Sequence, residues 1–134
     1  MRVGVTGATG FLGRYVVARL TAQGHQCRCW YRPSSDLGGI ETRSGAVVWV
    51  KGSLDDPEAG KELVEGCDAV VHAALNRPGA GFRGAEGDVA AFVQTNVVGT
   101  LRLIEAANAA RVKRFVFVST CAVHEKILSP AAIA

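Results

Sequence analysis

Residues 6–13 read Thr6-Gly7-Ala8-Thr9-Gly10-Phe11-Leu12-Gly13, three glycines spaced three apart. Ahead of them Val3 and Val5 mark a short strand, and behind them Leu12, Val16, Val17 and Leu20 recur at helical spacing. Between a strand and a helix each glycine has its own duty. Gly7 permits the tight turn, Gly10 lets backbone approach a pyrophosphate, and Gly13 lets the helix pack closely on the strand. The free N–H groups and positive dipole end of the helix then face the phosphates. A phosphate cradle is the expected use, and a glycine-rich turn without a ligand is the alternative.

Outward from this turn, apolar runs and turn residues predict further strands over 26–30, 46–50, 68–73 and 114–119. A helix is expected over 57–65, with Asp56 as its N-cap and Pro57 in the first turn, where a missing N–H costs nothing. A long helix is expected over 88–110, after a glycine-rich loop from 75 to 87. Strands alternating with helices imply right-handed β-α-β crossovers and a parallel sheet covered on both faces. The fold class is therefore α/β, a Rossmann-type doubly wound sheet of about five strands in the order 3-2-1-4-5. A single domain is expected over 1–134. It holds one complete mononucleotide-binding half and the start of a second, so the sheet reads as unfinished, with a substrate-binding C-terminal region absent.

Composition narrows the function classes. The chain has 134 residues, 49% of them hydrophobic and 20% charged, with a net charge of +3 and no run of basic residues. Neither nucleic acid nor a membrane surface is favoured as a partner. The N-terminus has no signal-peptide pattern and no apolar stretch reaches the length of a membrane span, so a cytoplasmic protein is expected. The four cysteines, at 27, 29, 67 and 121, form no Cys-x-x-Cys pair, and the histidines at 25, 72 and 124 are not spaced as metal ligands. The thiols are expected to be reduced and no metal is expected. Cys27 and Cys29, on one face of a strand, read as small core residues.

Five motifs in order give the chain a resemblance to the N-terminal part of the extended short-chain dehydrogenase/reductase superfamily, in its NAD(P)-dependent epimerase/dehydratase group. They are the glycine turn 6–13, Gly52-Ser53-Leu54, Val71-His72-Ala73-Ala74, Asn96-Val97-Val98-Gly99-Thr100, and Val118-Ser119-Thr120-Cys121-Ala122-Val123-His124. The resemblance covers the chain to about residue 125. It implies a dinucleotide bound by Gly7, Thr9, Gly10, Phe11, Leu12 and Gly13, with Ala73 and Ala74 kept small where the cofactor passes over the strand ends.

Cofactor choice follows from the end of the second strand. A carboxylate there would bind the adenosine ribose hydroxyls of NAD, whereas Arg32, Ser34 and Ser35 suit the 2′-phosphate of NADP. NADP is preferred over NAD, the alternative being that Arg32 is a solvated loop charge with its stem over adenine. Arg14 is either a second phosphate ligand or an exposed helix residue. Where the family has an Asp that contacts the adenine amino group this chain has Ser53, a weaker partner, while Leu54 keeps the packing role.

The long helix carries an apolar stripe, Val89, Phe92, Val93, Val97, Leu101 and Ile104, on which Asn96 falls. Asn96, grouped with the cofactor-binding residues, is expected to tie this helix to backbone near the active site, with Gly99 allowing close approach. Thr120 matches the family's Ser or Thr whose hydroxyl bonds the reacting substrate oxygen, and it is the candidate catalytic residue. A strand-end Thr bonded to its own backbone is the alternative. His124 and Glu125 stand where the family usually has Tyr and Gly, and His124 reads as a packing or surface residue.

The family's catalytic Tyr and Lys pair, four residues apart, is not in the sequence. The only tyrosines are Tyr15 and Tyr31, followed four residues on by Arg19 and Ser35. The function expected is the NAD(P)-binding portion of an epimerase, dehydratase or reductase acting on a nucleotide sugar or a small carbonyl or hydroxyl substrate, inactive alone. A non-catalytic NADP(H)-sensing module is the alternative. A self-associating fragment is a third reading, since in the family the helix at 88–110 packs across a homodimer interface. Arg77 and Arg83, in the loop expected over the substrate side, either meet an anionic group or face solvent.

Overall fold

A computed structural model describes residues 1–40, 45–76 and 88–119. Strand β1 (Arg2–Thr6) leads through the glycine turn into helix α1 (Phe11–Ala22), then β2 (Gln26–Tyr31), β3 (Val47–Lys51), α2 (Ala59–Val64) and β4 (Ala69–His72). Helix α3 (Val89–Phe92), a π-helical segment (Val93–Val98) and α4 (Gly99–Ala109) follow end to end, and β5 (Arg114–Phe117) completes the described chain. The five strands form one sheet in the order β3-β2-β1-β4-β5. Every neighbouring pair is parallel, with Val3 opposite both Cys27 and Ala69, and Val70 opposite Phe115.

Side chains alternate across a strand, so the sheet has two apolar faces, and helices pack on both. Val3, Val5, Cys27, Cys29 and Ala69 pack with Val17 of α1. On the opposite face Trp30, Val50 and Val70 pack with Leu63 and Val64 of α2 and with Leu103 and Ala107 of α4. Cys27 and Cys29 are buried free thiols, in the core role their spacing implied. The indole N–H of Trp30 is satisfied by the Ala59 carbonyl oxygen at 3.2 Å, fastening β2 to the start of α2.

Helix boundaries follow local chemistry. Asp56 does accept N–H groups as a cap does, from Glu58 at 2.9 Å and Ala59 at 3.3 Å, but residues 57 and 58 form a turn and α2 begins at Ala59. Asp88 caps α3 in the same way, accepting from Ala90 at 2.8 Å.

Two apolar stripes face differently from their sequence reading. In α1 the buried residues are Gly13, Val17 and Thr21, while Leu12 is exposed, because the close approach at Gly13 turns that side of the helix to the sheet. In the long helix the stripe Val89, Phe92, Val93, Val97, Leu101 and Ile104 faces outward, and the core side is Asn96, Gly99, Leu103 and Ala107. Gly99 explains the choice: a Cβ there would lie 2.5 Å from the Leu54 carbonyl oxygen, so only glycine lets the helix sit this close to the loop after β3. On β5, Val116 and Phe117 are likewise exposed.

Candidate functional site

Loops at the carboxyl ends of β1, β2, β3 and β4 meet around one cleft of about 380 Å³. The turn after β1 contributes Gly7, Thr9 and Gly10, and the end of β2 with its loop contributes Trp30, Tyr31, Arg32, Ser34, Ser35 and Asp36. The loop after β3 adds Gly52, Ser53, Leu54 and Asp55, and the loop after β4 adds Ala73, Ala74, Leu75 and Asn76, with Thr95 beside them. This is the end of a doubly wound sheet at which ligands bind, next to the β1/β4 boundary where strand order reverses.

The glycine turn is shaped for close backbone approach. Gly7 has φ +69°, and a Cβ on it would stand 2.7 Å from the carbonyl carbon and oxygen of Ala73. A Cβ on Gly13 would collide with the carbonyl oxygen of Gly7. Gly10, at the N-cap of α1, gives no side-chain cap to the first helical turn. The N–H groups there stay available to an anion at the positive end of a twelve-residue helix. Phe11 and Leu12 open that helix with exposed side chains and are not among the residues that line the cleft.

At the end of β2 the lining is polar. Arg32 is exposed, its backbone N–H donates to Ser35 Oγ at 3.0 Å, and the Thr9 hydroxyl lies 3.4 Å from the same oxygen. Arg14 is used elsewhere: its guanidinium donates to the carbonyl oxygens of Thr9 at 3.0 Å and Asp36 at 2.7 Å, and to that of Gly38. It holds the loop after β2 against the glycine turn. Leu54, on the loop after β3, is buried, while Asp55 accepts from the Thr95 hydroxyl at 2.5 Å.

Asn96 lies behind the cleft rather than on it. Its Oδ1 accepts from the Asn76 N–H at 2.7 Å, and its Nδ2 donates to the carbonyl oxygens of Asn76 at 2.9 Å and Phe92 at 3.2 Å. The amide thus ties the π-helical segment to the loop after β4. Thr120, His124, Arg77 and Arg83 fall outside the described residues.

His72 is the polar core residue that the sequence reading gave no role. It is 1% exposed, with Nδ1 2.6 Å from Thr6 Oγ1 and Nε2 2.8 Å from Thr100 Oγ1. Burial pushes its pKa down to about 4, so the ring is neutral at pH 7. A histidine inside an apolar strand, in register with a threonine ending β1, was the available signal.

Among the described residues no group of three or more His, Cys, Asp or Glu side chains is placed to hold a metal, and no helix is long and apolar enough to cross a membrane.

Known proteins place this geometry. The model of the NAD dependent epimerase/dehydratase family matches residues 3–130. A curated relative, the 4-hydroxy-2-methyl-3-oxo-4-farnesyl-3,4-dihydroquinoline-1-oxide ketoreductase of Stigmatella aurantiaca, is 36% identical over 123 residues, which is 92% of this chain and 34% of that protein. A short-chain dehydrogenase/reductase superfamily protein from Agrobacterium tumefaciens, solved with bound NAD, superposes with a TM-score of 0.69 at 34% identity, over 90% of this chain and 33% of that one. The UDP-glucose 4-epimerase of Thermus thermophilus, solved with NAD, gives 0.73 at 27% identity, over 90% and 38%. The chain spans about a third of the length of the curated relatives it matches. A cradle that excludes any side chain, an uncapped helix start and small residues at the strand ends fit a nicotinamide dinucleotide, the cofactor class of these proteins. The chain belongs to the NAD-dependent epimerase/dehydratase family of the extended short-chain dehydrogenase/reductase superfamily and corresponds to its N-terminal, cofactor-binding portion.

Proposed function

We propose that the chain binds NADP in preference to NAD, as the cofactor portion of a reductase, epimerase or dehydratase acting on a nucleotide sugar or a small carbonyl or hydroxyl substrate. The cradle at Gly7, Gly10 and Gly13 carries the binding reading, because a Cβ at Gly7 or Gly13 would meet backbone that has no room to move. The bound nicotinamide supplies hydride transfer. The uncapped start of α1 would hold the pyrophosphate, and Ser53 and Leu54 would border the adenine. The NADP preference is supported by the polar lining after β2, where Arg32, Ser34 and Ser35 offer a guanidinium and two hydroxyls to a 2′-phosphate. Arg14, committed to three carbonyl oxygens, acts by holding that loop.

Thr120 is proposed to hydrogen-bond the reacting substrate oxygen. This sequence supplies no Tyr and Lys pair to move the substrate proton, so the chain is inactive alone. The outward apolar residues Phe92, Val97 and Leu101 support a homodimer through the helix at 88–110. Reduced buried thiols at Cys27, Cys29 and Cys67 support a cytoplasmic setting.

Titration of the chain with NADPH and with NADH, followed by nicotinamide fluorescence, tests the reading. The expected result is tighter binding of NADPH, and Arg32→Ala weakens NADPH by roughly tenfold or more while leaving NADH unchanged, the range for a charge-assisted hydrogen bond. Failure to bind either nucleotide overturns it. No turnover of the chain with NADPH is expected, and turnover would overturn its being inactive alone.

A further inference from the structure

We propose that His72 is a positioning residue, locked as the Nε2–H tautomer in a one-directional hydrogen-bond chain that sets the Ala73 to Asn76 wall of the cleft. The wall's relevance to a dinucleotide rests on the function proposed above, whereas the order of the protons rests on geometry alone.

That order follows from one end. The Thr100 hydroxyl lies 2.5 Å from the carbonyl oxygen of Asn96, which has only lone pairs, so the hydroxyl hydrogen points there. Toward His72 Nε2, 2.8 Å away, Thr100 then offers only a lone pair, so Nε2 carries the ring hydrogen. A neutral imidazole leaves Nδ1 bare, and the Thr6 hydroxyl 2.6 Å away donates to it. The lone pairs of Thr6 Oγ1 in turn accept the N–H groups of Ala73 at 3.2 Å and Ala74 at 3.1 Å. Every hydrogen between the Ala73 and Ala74 amides and the Asn96 carbonyl is donated, all in one sense. Reversing the ring tautomer would give Thr6 Oγ1 three N–H donors for two lone pairs and leave Thr100 with two acceptors and one hydrogen.

Both ends of this chain act on the same loop. Ala73 and Ala74 line the cleft directly, and the Asn96 side chain grips the backbone of Asn76, which also lines it. The ring therefore stands between the end of β1, the loop after β4 and the π-helical segment, and it touches no part of the cleft itself. Beside it stand the rings of Phe115 and Phe117 on β5, with centroids 6.1 Å and 5.5 Å away. None of the groups against it from β1, α4 or β5, among the described residues, carries a charge. Imidazole suits this place because it donates at one edge and accepts at the other across a fixed span; an amide of Asn or Gln is shorter or floppier, and an apolar ring does neither.

The Thr100 variants carry the test, since Thr100 is half-buried and valine keeps its branched shape without the hydroxyl. Nitrogen-15 NMR of the chain at pH 7 is expected to show His72 as the neutral Nε2–H tautomer, and an Nδ1–H or charged ring overturns the proton order. Thr100→Val, checked as folded by circular dichroism, is expected to weaken NADPH binding about fivefold through the loosened wall, and Thr100→Ser to restore it. Equal binding by wild type and the folded Thr100→Val chain overturns the positioning role. A wild-type chain that shows the Nε2–H tautomer but binds neither NADPH nor NADH overturns the cofactor reading and the positioning role with it, leaving the proton order established.

Discussion

Replacing Gly13 by alanine adds one methyl group at the place where α1 meets the turn after β1. The added Cβ would lie 2.7 Å from the carbonyl carbon of Gly7 and 2.8 Å from the Cα of Ala8. Carbon atoms rest at about 3.5 to 4.0 Å from one another, so the helix start must retreat by about 1 Å. The obstacle is backbone on both sides, which places the cost at the upper end of overpacking, about 3 kcal/mol. Retreat also moves the uncapped N–H groups of the first turn away from the phosphates, removing a dipole interaction of about 1 kcal/mol, or about fivefold in affinity. Gly24→Ala is the matched control. Its φ is +81° but nothing lies within 4 Å of a Cβ there, so it meets only the left-handed backbone penalty of about 1 to 2 kcal/mol. Urea denaturation of both variants, with NADPH titration of each, separates the two effects. The reasoning is refuted if Gly13→Ala is no less stable than Gly24→Ala and binds NADPH as wild type does.

Acid should destabilise the chain through His72. Its native pKa of about 4 lies below the ordinary 6.5, so the unfolded chain takes up a proton between those values that the native chain refuses. The contribution is complete above pH 6.5 and is lost as pH falls toward 4, by about 3 kcal/mol in all; urea midpoints from pH 7.5 to 4.5 should show a slope that His72→Gln flattens. Leu63→Ala, at a site fully shielded between the sheet and α4, should cost about 3 kcal/mol or more in the same assay. Leu101→Ser on the outward stripe should change stability by less than about 0.5 kcal/mol and lower self-association measured by sedimentation, and a large stability loss would show that this face is covered within one chain.

Read from sequence, the alternation of strands and helices and the sheet order were within reach because each depends on local periodicity and on the handedness of crossovers. The duties of Gly7 and Gly13 were legible for a similar reason: a turn between a strand and a helix leaves space for few residue types. Arg14 was not legible. Its carbonyl partners at Asp36 and Gly38 lie more than twenty residues away, so only the folded loop reveals it as a clasp. The outward turn of the long helix was missed because hydrophobicity alone favours burying Val97 and Leu101, while the close packing of Gly99 on Leu54 decides the opposite.

By itself, then, the sequence determined the doubly wound sheet, the cradle and the family, all of which rest on short-range backbone geometry and residue spacing. The tertiary structure alone decided which helix face is covered, which arginine lines the cleft, and how His72 joins Thr6 to Thr100. These depend on contacts between residues 22 to 66 positions apart, whose partners no local pattern specifies.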